Sequence, residues 1–182
     1  MTETLSADAP AITTDPATDP GEPWGLGGFL PYRLSLASNA VSSLIAERYR
    51  VRFGLKIAEW RVMAVLGDTV RGAAHASVPA GRTQRDLTEA TLMDKVAVNR
   101  ACKMLEERGL VARAANEADG RSHLLELTEE GRRIHAEIMP LALATEAELF
   151  EGFTPDEQKQ VKRLLRRLYE RAMTLSEDAP GV

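Results

Sequence analysis

The stretch from Thr83 to Gly109 constrains this chain more than any other, because it spells two helix starts and one helix stop in quick succession. Thr83, with Asp86 three residues on, sets up a near capping-box arrangement for a short helix through Ala90. Thr91, Leu92 and Met93 then form a turn, Asp94 caps a second helix running to Arg108, and Gly109 is the residue type suited to a left-handed helix end. At about 100° per residue, Val98, Ala101, Cys102 and Leu105 share one face of that second helix, and Val96, Asn99, Arg100 and Lys103 share the opposite one. One face packs and the other points outward. After Gly109 the periodicity changes: LVARAA and SHLLEL are strand-like runs separated by Asn116, Glu117, Ala118, Asp119, Gly120 and Arg121, a turn-rich hairpin tip. The order is helix, short turn, helix, hairpin.

An α-helix fits the major groove of DNA, where Asn bonds adenine bidentately, Arg or Lys bonds guanine, and an apolar side chain meets a thymine methyl. Val96, Asn99, Arg100 and Lys103 supply those residue types on one face and are the base-contact candidates. On an isolated helix Arg100 and Lys103 would read as solvated charges pairing with Glu107 or Glu106; the capped helix before and the hairpin after favour the DNA-facing assignment. Gln84 and Arg85 at a helix N-terminus, Lys95 at the start of the second helix, and Arg113 beside the hairpin are phosphate-contact candidates. Arg121 sits at the hairpin tip, from which a long cation reaches a narrow minor groove, with Asp119 placed to orient its guanidinium. The plain alternative is an Asp-Gly turn with a solvated Arg beside it.

The flanks are helical. From Phe29, Leu30, Leu34, Ala37, Val41, Leu44 and Ile45 follow spacings of three and four until Gly54, and a further helix is expected from about Ile57 to Gly67. Residues 68–82, weakly patterned and holding Gly72, Pro79 and Gly81, read as a loop with at most one short strand. Thr128 begins another helix, and Thr154, Pro155 and Glu157 open a last one whose stripe is Val161, Leu164, Leu165, Leu168 and Ala172. The fold class is therefore mainly α with a small β-hairpin wing, in the order α, α, α, α, β, β, α, α.

Charge and composition set the boundaries of function. The net charge of −4 argues at first against a nucleic-acid partner, but residues 1–23 carry five acidic residues and no Lys or Arg, and Glu177 and Asp178 add two more. Without those seven charges the balance of residues 24–176, which hold all 23 Lys and Arg, is +3. The first 23 residues lack periodicity and read as a disordered acidic tail, and residues 177–182 as a flexible C-terminus. No apolar run suits a membrane span and no signal-peptide pattern opens the chain, so a cytoplasmic protein is expected. One cysteine, Cys102, and three scattered histidines offer neither a disulfide framework nor metal-ligand spacing.

The segments FLPYRLSLASNAV, FGLKIAEWRVMAVL, TQRDLTEATLMDKVAVNRACKMLEERGLVAR and ADGRSHLLELTEEGRR, with the closing capped helix, resemble consecutive parts of a MarR-family (multiple antibiotic resistance) regulator over residues 29–175. The resemblance implies a homodimer built mainly from residues 24–56 and 128–176, with residues 57–127 as a winged helix-turn-helix over successive major grooves of a pseudo-palindromic double-stranded operator. It also implies repression relieved by a small aromatic or anionic effector, with Tyr32, Asn39, Trp60 and Arg61 as pocket candidates for stacking, hydrogen bonding and carboxylate pairing. No cofactor, metal or membrane is implied. The loop at 68–82 is longer than the family pattern leads one to expect. Some relatives sense oxidants through cysteine, but Cys102 falls on the packing face of its helix, where a buried thiol is the ordinary explanation. The alternative to a DNA-binding regulator is a dimeric winged-helix protein-interaction module. An enzyme is not expected, since no phosphate-binding Gly loop, metal cluster or nucleophile signature occurs.

Overall fold

A computed structural model describes residues 26–72, 81–116 and 119–178. The expected acidic tail, most of the 68–82 loop, the middle of the hairpin tip and the last four residues lie outside them. The elements are α1 (Leu30–Phe53), α2 (Ile57–Gly72), α3 (Gln84–Thr91), α4 (Lys95–Glu107), β1 (Val111–Ala115), β2 (His123–Leu127), α5 (Glu129–Leu149) and α6 (Pro155–Glu177). This is the mainly helical order with one hairpin that the sequence implies. The chain divides into two units, Met1–Ser42 and Ser43–Val182, the division falling inside α1.

Within the larger unit α2 is the central post. It packs against α3, α4, α5 and β2, while α4 backs onto β1 and α5 onto β2. The core they enclose is made of α2 residues Val62, Met63 and Leu66, Leu87 of α3, the inner face of α4 and Leu110, Leu125, Leu127 and Ile138. Strands β1 and β2 pair antiparallel from Val111↔Leu127 to Ala115↔His123. Beyond β2, Arg82 and Leu125 exchange both backbone hydrogen bonds, at 3.0 and 2.8 Å. Among the described residues of the 68–82 segment, Arg82 forms this bridge and fastens the lead-in of α3 to the hairpin.

The helix starts follow their caps. Thr83 Oγ1 accepts from the Asp86 N–H and Asp86 accepts from the Thr83 N–H, so the capping box is complete with Asp in place of the usual Glu. Asp94 caps α4, Thr128 caps α5 and Thr154 with Glu157 caps α6, each with a side-chain oxygen accepting from the third helical residue. Each such cap contributes about 1 kcal/mol.

One boundary differs from expectation. The second helix continues to Gly72 instead of stopping at Gly67. The glycine is there for packing: a Cβ on Gly67 would lie 2.3 Å from the His135 Nε2 of α5, whose ring stacks on Trp60. Another close approach fixes the junction of hairpin and α5. Thr128 N–H donates to Leu110 O, Thr128 Oγ1–H donates to Gly109 O, and a Cβ on Gly131 would stand 2.0 Å from Leu110 O. No backbone atom yields that much room, so we expect Gly131→Ala to destabilise the protein by roughly 3 kcal/mol, the upper range for overpacking a core. Urea unfolding measures this; an unchanged midpoint would show that α5 is free to move away from the hairpin.

Candidate nucleic-acid interface

The two faces of α4 separate as the sequence spacing requires. Val98, Ala101, Cys102 and Leu105 are buried, whereas Val96, Asn99, Arg100 and Lys103 are exposed. Val96, 67% exposed, is an apolar side chain with no core to enter. Leu92, 62% exposed, joins it at the turn between α3 and α4, holding a left-handed backbone (φ +52°) that glycine adopts more readily. Residue spacing does not single out Leu92, since φ is not legible in composition. Lys103 Nζ lies 3.8 Å from Glu107 Oε1, a loose exposed pair of the kind expected for a solvated helix. Such pairs are worth about 0–1 kcal/mol, so a stronger partner takes the lysine at little cost.

The phosphate and wing candidates converge in space. Gln84 and Arg85 at the start of α3, Arg113 of β1, and Asp119 and Arg121 at the hairpin turn line one notch of about 480 Å³. Thr83 and His123 share its walls and were not anticipated; His123 belongs to a strand that sequence alone assigned only to hairpin pairing. The Gln84 Nε2 is buried without a protein hydrogen-bond acceptor. Arg113 reaches Glu106 Oε2 through its Nε (2.7 Å), and Arg85 reaches Glu89 Oε1 (2.9 Å). Lys95, the first residue of α4, is exposed. The notch is therefore a concavity lined by Arg85, Arg113 and Arg121 with the N-terminus of α3 among its walls and Arg113 tied to Glu106 of α4, the combination that attracts phosphate oxygens.

Asp119 Oδ1 accepts the backbone N–H of Arg121 at 3.1 Å, and Ser122 N–H and Oγ–H turn back to Asp119 O. Asp119 is thus a turn-former that shapes the hairpin; among the described residues no pairing with the Arg121 guanidinium accompanies it. A short Asp side chain two residues before the amide finds the backbone sooner than it finds the end of a long Arg.

The effector candidates are divided between the two units. Tyr32 and Asn39 are exposed on the part of α1 that belongs to the smaller unit. Trp60 is a core residue, 8% exposed, its ring 5.6 Å from both Tyr49 and His135. Arg61 is half-buried and acts electrostatically on Tyr49, whose phenol burial pushes up to about 12. Among the described residues no group of three or more His, Cys, Asp or Glu could hold a metal ion, and no helix is long and apolar enough to cross a membrane.

Cys102 sits fully inside, and burial, with Glu106 nearby, pushes its thiol up to about 11. The thiol stays protonated at neutral pH, and only the thiolate is reactive. Because the folded state binds this proton more tightly than the unfolded one, its stabilising effect is complete below about pH 9 and fades as pH rises towards 11. We expect the native protein at pH 7.5 to resist alkylation by iodoacetamide, and one equivalent to react after unfolding; rapid native labelling would place the thiol at the surface.

A capped helix pair, an outward polar face and a hairpin hinged beside it define a winged helix-turn-helix protein. Residues 53–122 match the family model described as the MarR family. Among solved structures, a MarR family transcriptional regulator from Silicibacter pomeroyi is 27% identical with a TM-score of 0.66, covering 82% of this chain and 98% of that one. A probable transcriptional regulator from Pseudomonas aeruginosa is 26% identical with a TM-score of 0.64, covering 79% and 99%. The Bordetella bronchiseptica regulator BpsR, whose DNA binding is regulated by 6-hydroxynicotinic acid, is 24% identical with a TM-score of 0.67, covering 81% and 97%. Residues 53–122 thus match the MarR family, and the described residues share the fold of solved MarR family transcriptional regulators.

Proposed function

We propose that this protein is a dimeric, sequence-specific regulator of double-stranded DNA, a repressor released from a pseudo-palindromic operator by a small anionic or aromatic ligand. The observation that carries the DNA-binding part is a pair of surfaces linked through the Arg113–Glu106 ion pair: the outward face of α4 with Val96, Asn99, Arg100 and Lys103, and the notch with Arg85, Arg113 and Arg121. In this reading α4 lies in the major groove, the notch receives the backbone beside it, and Arg121 reaches the neighbouring minor groove. Arg100→Ala should cost about 1–3 kcal/mol at a specific site and leave nonspecific binding nearly unchanged, while Arg121→Ala should weaken binding and flatten its salt dependence. Fluorescence anisotropy on DNA from upstream of its own gene, across a salt series, measures both. Full affinity in both variants would contradict the assignment, and co-purification with a protein in place of any DNA binding would favour an interaction module.

Dimerisation is supported by α6. Leu164, Leu165, Leu168, Tyr169 and Met173 are all more than a third exposed, although they form the apolar stripe of a 23-residue helix. An apolar stripe of that length is covered in solution, and a second copy of the chain supplies the complementary surface. Replacing Leu165 and Leu168 together by Glu should convert the dimer to monomers by analytical ultracentrifugation and abolish specific DNA binding with it; a dimer that persists would place the interface elsewhere.

Effector release is supported by a cavity of about 320 Å³ between α2 at Gly67 and α5, lined also by Arg132, His135, Met139 and Leu143 among others. It sets a guanidinium and an imidazole on apolar walls, a lining suited to a flat acid. Regulation of BpsR by 6-hydroxynicotinic acid is a precedent within the fold.

A further inference from the structure

Three helix ends meet at one side chain. α1 ends at Phe53, with Gly54 in the left-handed conformation (φ +62°) and its N–H returned to Arg50 O. α2 opens with Glu59, which is buried and whose Oε2 accepts from the Lys56 N–H at 3.0 Å. α4 ends at Arg108, whose own N–H bonds to Met104 O and Glu106 O before Gly109 turns the chain away. From that end the Arg108 guanidinium crosses back: Nη2 donates to Phe53 O at 2.6 Å, Nη1 donates to Gly54 O at 3.2 Å, and Nη1 stands 3.8 Å from Glu59 Oε2.

The last carbonyls of a helix have no intrahelical donors and carry the negative end of its dipole, so a cation placed there satisfies both. A planar guanidinium suits this task because it offers donors in a fixed fork; an ammonium offers one point charge on a freely turning stem. Arg108 therefore caps α1, neutralises the buried Glu59 and anchors the C-terminal end of α4 in a single rigid contact. Nothing in helix formation requires it, since Gly109 already terminates α4 and the Leu110 N–H already returns to Leu105 O.

We propose that Arg108 is a positioning residue: it locks the angle between the outward-facing helix α4 and the C-terminal end of α1, and so sets the separation of the two α4 helices in the dimer. The inference rests on the dimeric DNA-binding reading above. Half-site spacing on DNA mirrors the distance between paired recognition helices, so an angle left loose at this corner relaxes the spacing the dimer accepts.

The test uses the full-length protein and the Arg108→Lys variant, which keeps a cation near Glu59; Arg108→Ala strands a buried carboxylate and threatens the fold. In a Cys102→Ala background, a spin label at Glu107→Cys, on the exposed last turn of α4, reports the distance between the two copies by double electron–electron resonance. We expect a narrow distribution with Arg108 and a distinctly broader one in the R108K variant, at similar helix content. In the unlabelled proteins, binding is compared on the footprinted operator and on versions lengthened or shortened by one base pair at the dyad. With Arg108 the native spacing should win by roughly tenfold, about the penalty of one lost base contact, and in the R108K variant the ratio should fall to about twofold. An unchanged distance distribution and unchanged spacing preference in a folded R108K dimer would overturn the inference while leaving the DNA-binding reading intact. A dimer that binds no DNA would overturn that reading instead, and the distance distribution alone would then decide whether Arg108 is the strut; a monomer in solution would overturn both.

Discussion

Burial of the inner face of α4 is the interaction on which the rest of the structure depends. Val98, Ala101, Cys102 and Leu105 close against α2 and the foot of the hairpin, and fully burying a Val or Leu side chain stabilises by about 1.5–3 kcal/mol. Once that face is committed, geometry leaves Val96, Asn99, Arg100 and Lys103 on the other side, because a step of about 100° per residue admits no alternative. The residues that point outward do so because their neighbours cannot. The same burial holds Cys102 as an unreactive thiol, so the position that a redox role would need is taken up by packing.

Around that helix the electrostatics are arranged in weak, replaceable pairs. Arg113 with Glu106, Arg85 with Glu89 and Lys103 with Glu107 all lie at the surface, where each pair contributes no more than about 1 kcal/mol. In the proposed DNA-bound state a phosphate would displace such a carboxylate at little cost. The contrast with Arg108 is one of burial: its partners are two helix-end carbonyls and a buried acid, and it is held at the corner of three helices rather than offered to a ligand.

Much of this was legible in the sequence, and the parts that were not have physical reasons. Caps and faces are local, so Thr83, Asp94, Thr128 and Thr154 marked their helices, and the division of α4 followed from spacing. Gly67 misled because a glycine that ends a helix and one that admits a neighbour's ring are alike in sequence until the neighbour, His135, is in place. The hydrogen bond from the Arg121 N–H to Asp119 is decided by turn geometry, which composition does not announce. The notch was legible only as scattered polar and cationic residues: Gln84, Arg85, Arg113 and Arg121 come together through the Arg82–Leu125 bridge, a long-range pairing that no periodicity announces. Trp60 shows the reverse, an aromatic residue that chemistry offers to a ligand and packing assigns to the core.

What joins these parts is a claim about geometry, that two copies of one outward helix are presented to two major grooves on the same side of a DNA duplex. Hydroxyl-radical footprinting of the DNA upstream of its own gene tests it most directly. The account predicts two protected patches related by a dyad and centred about one helical turn, roughly 10 base pairs, apart, each flanked by minor-groove protection from the hairpin. A single unpaired patch, or uniform protection without a dyad, would contradict it.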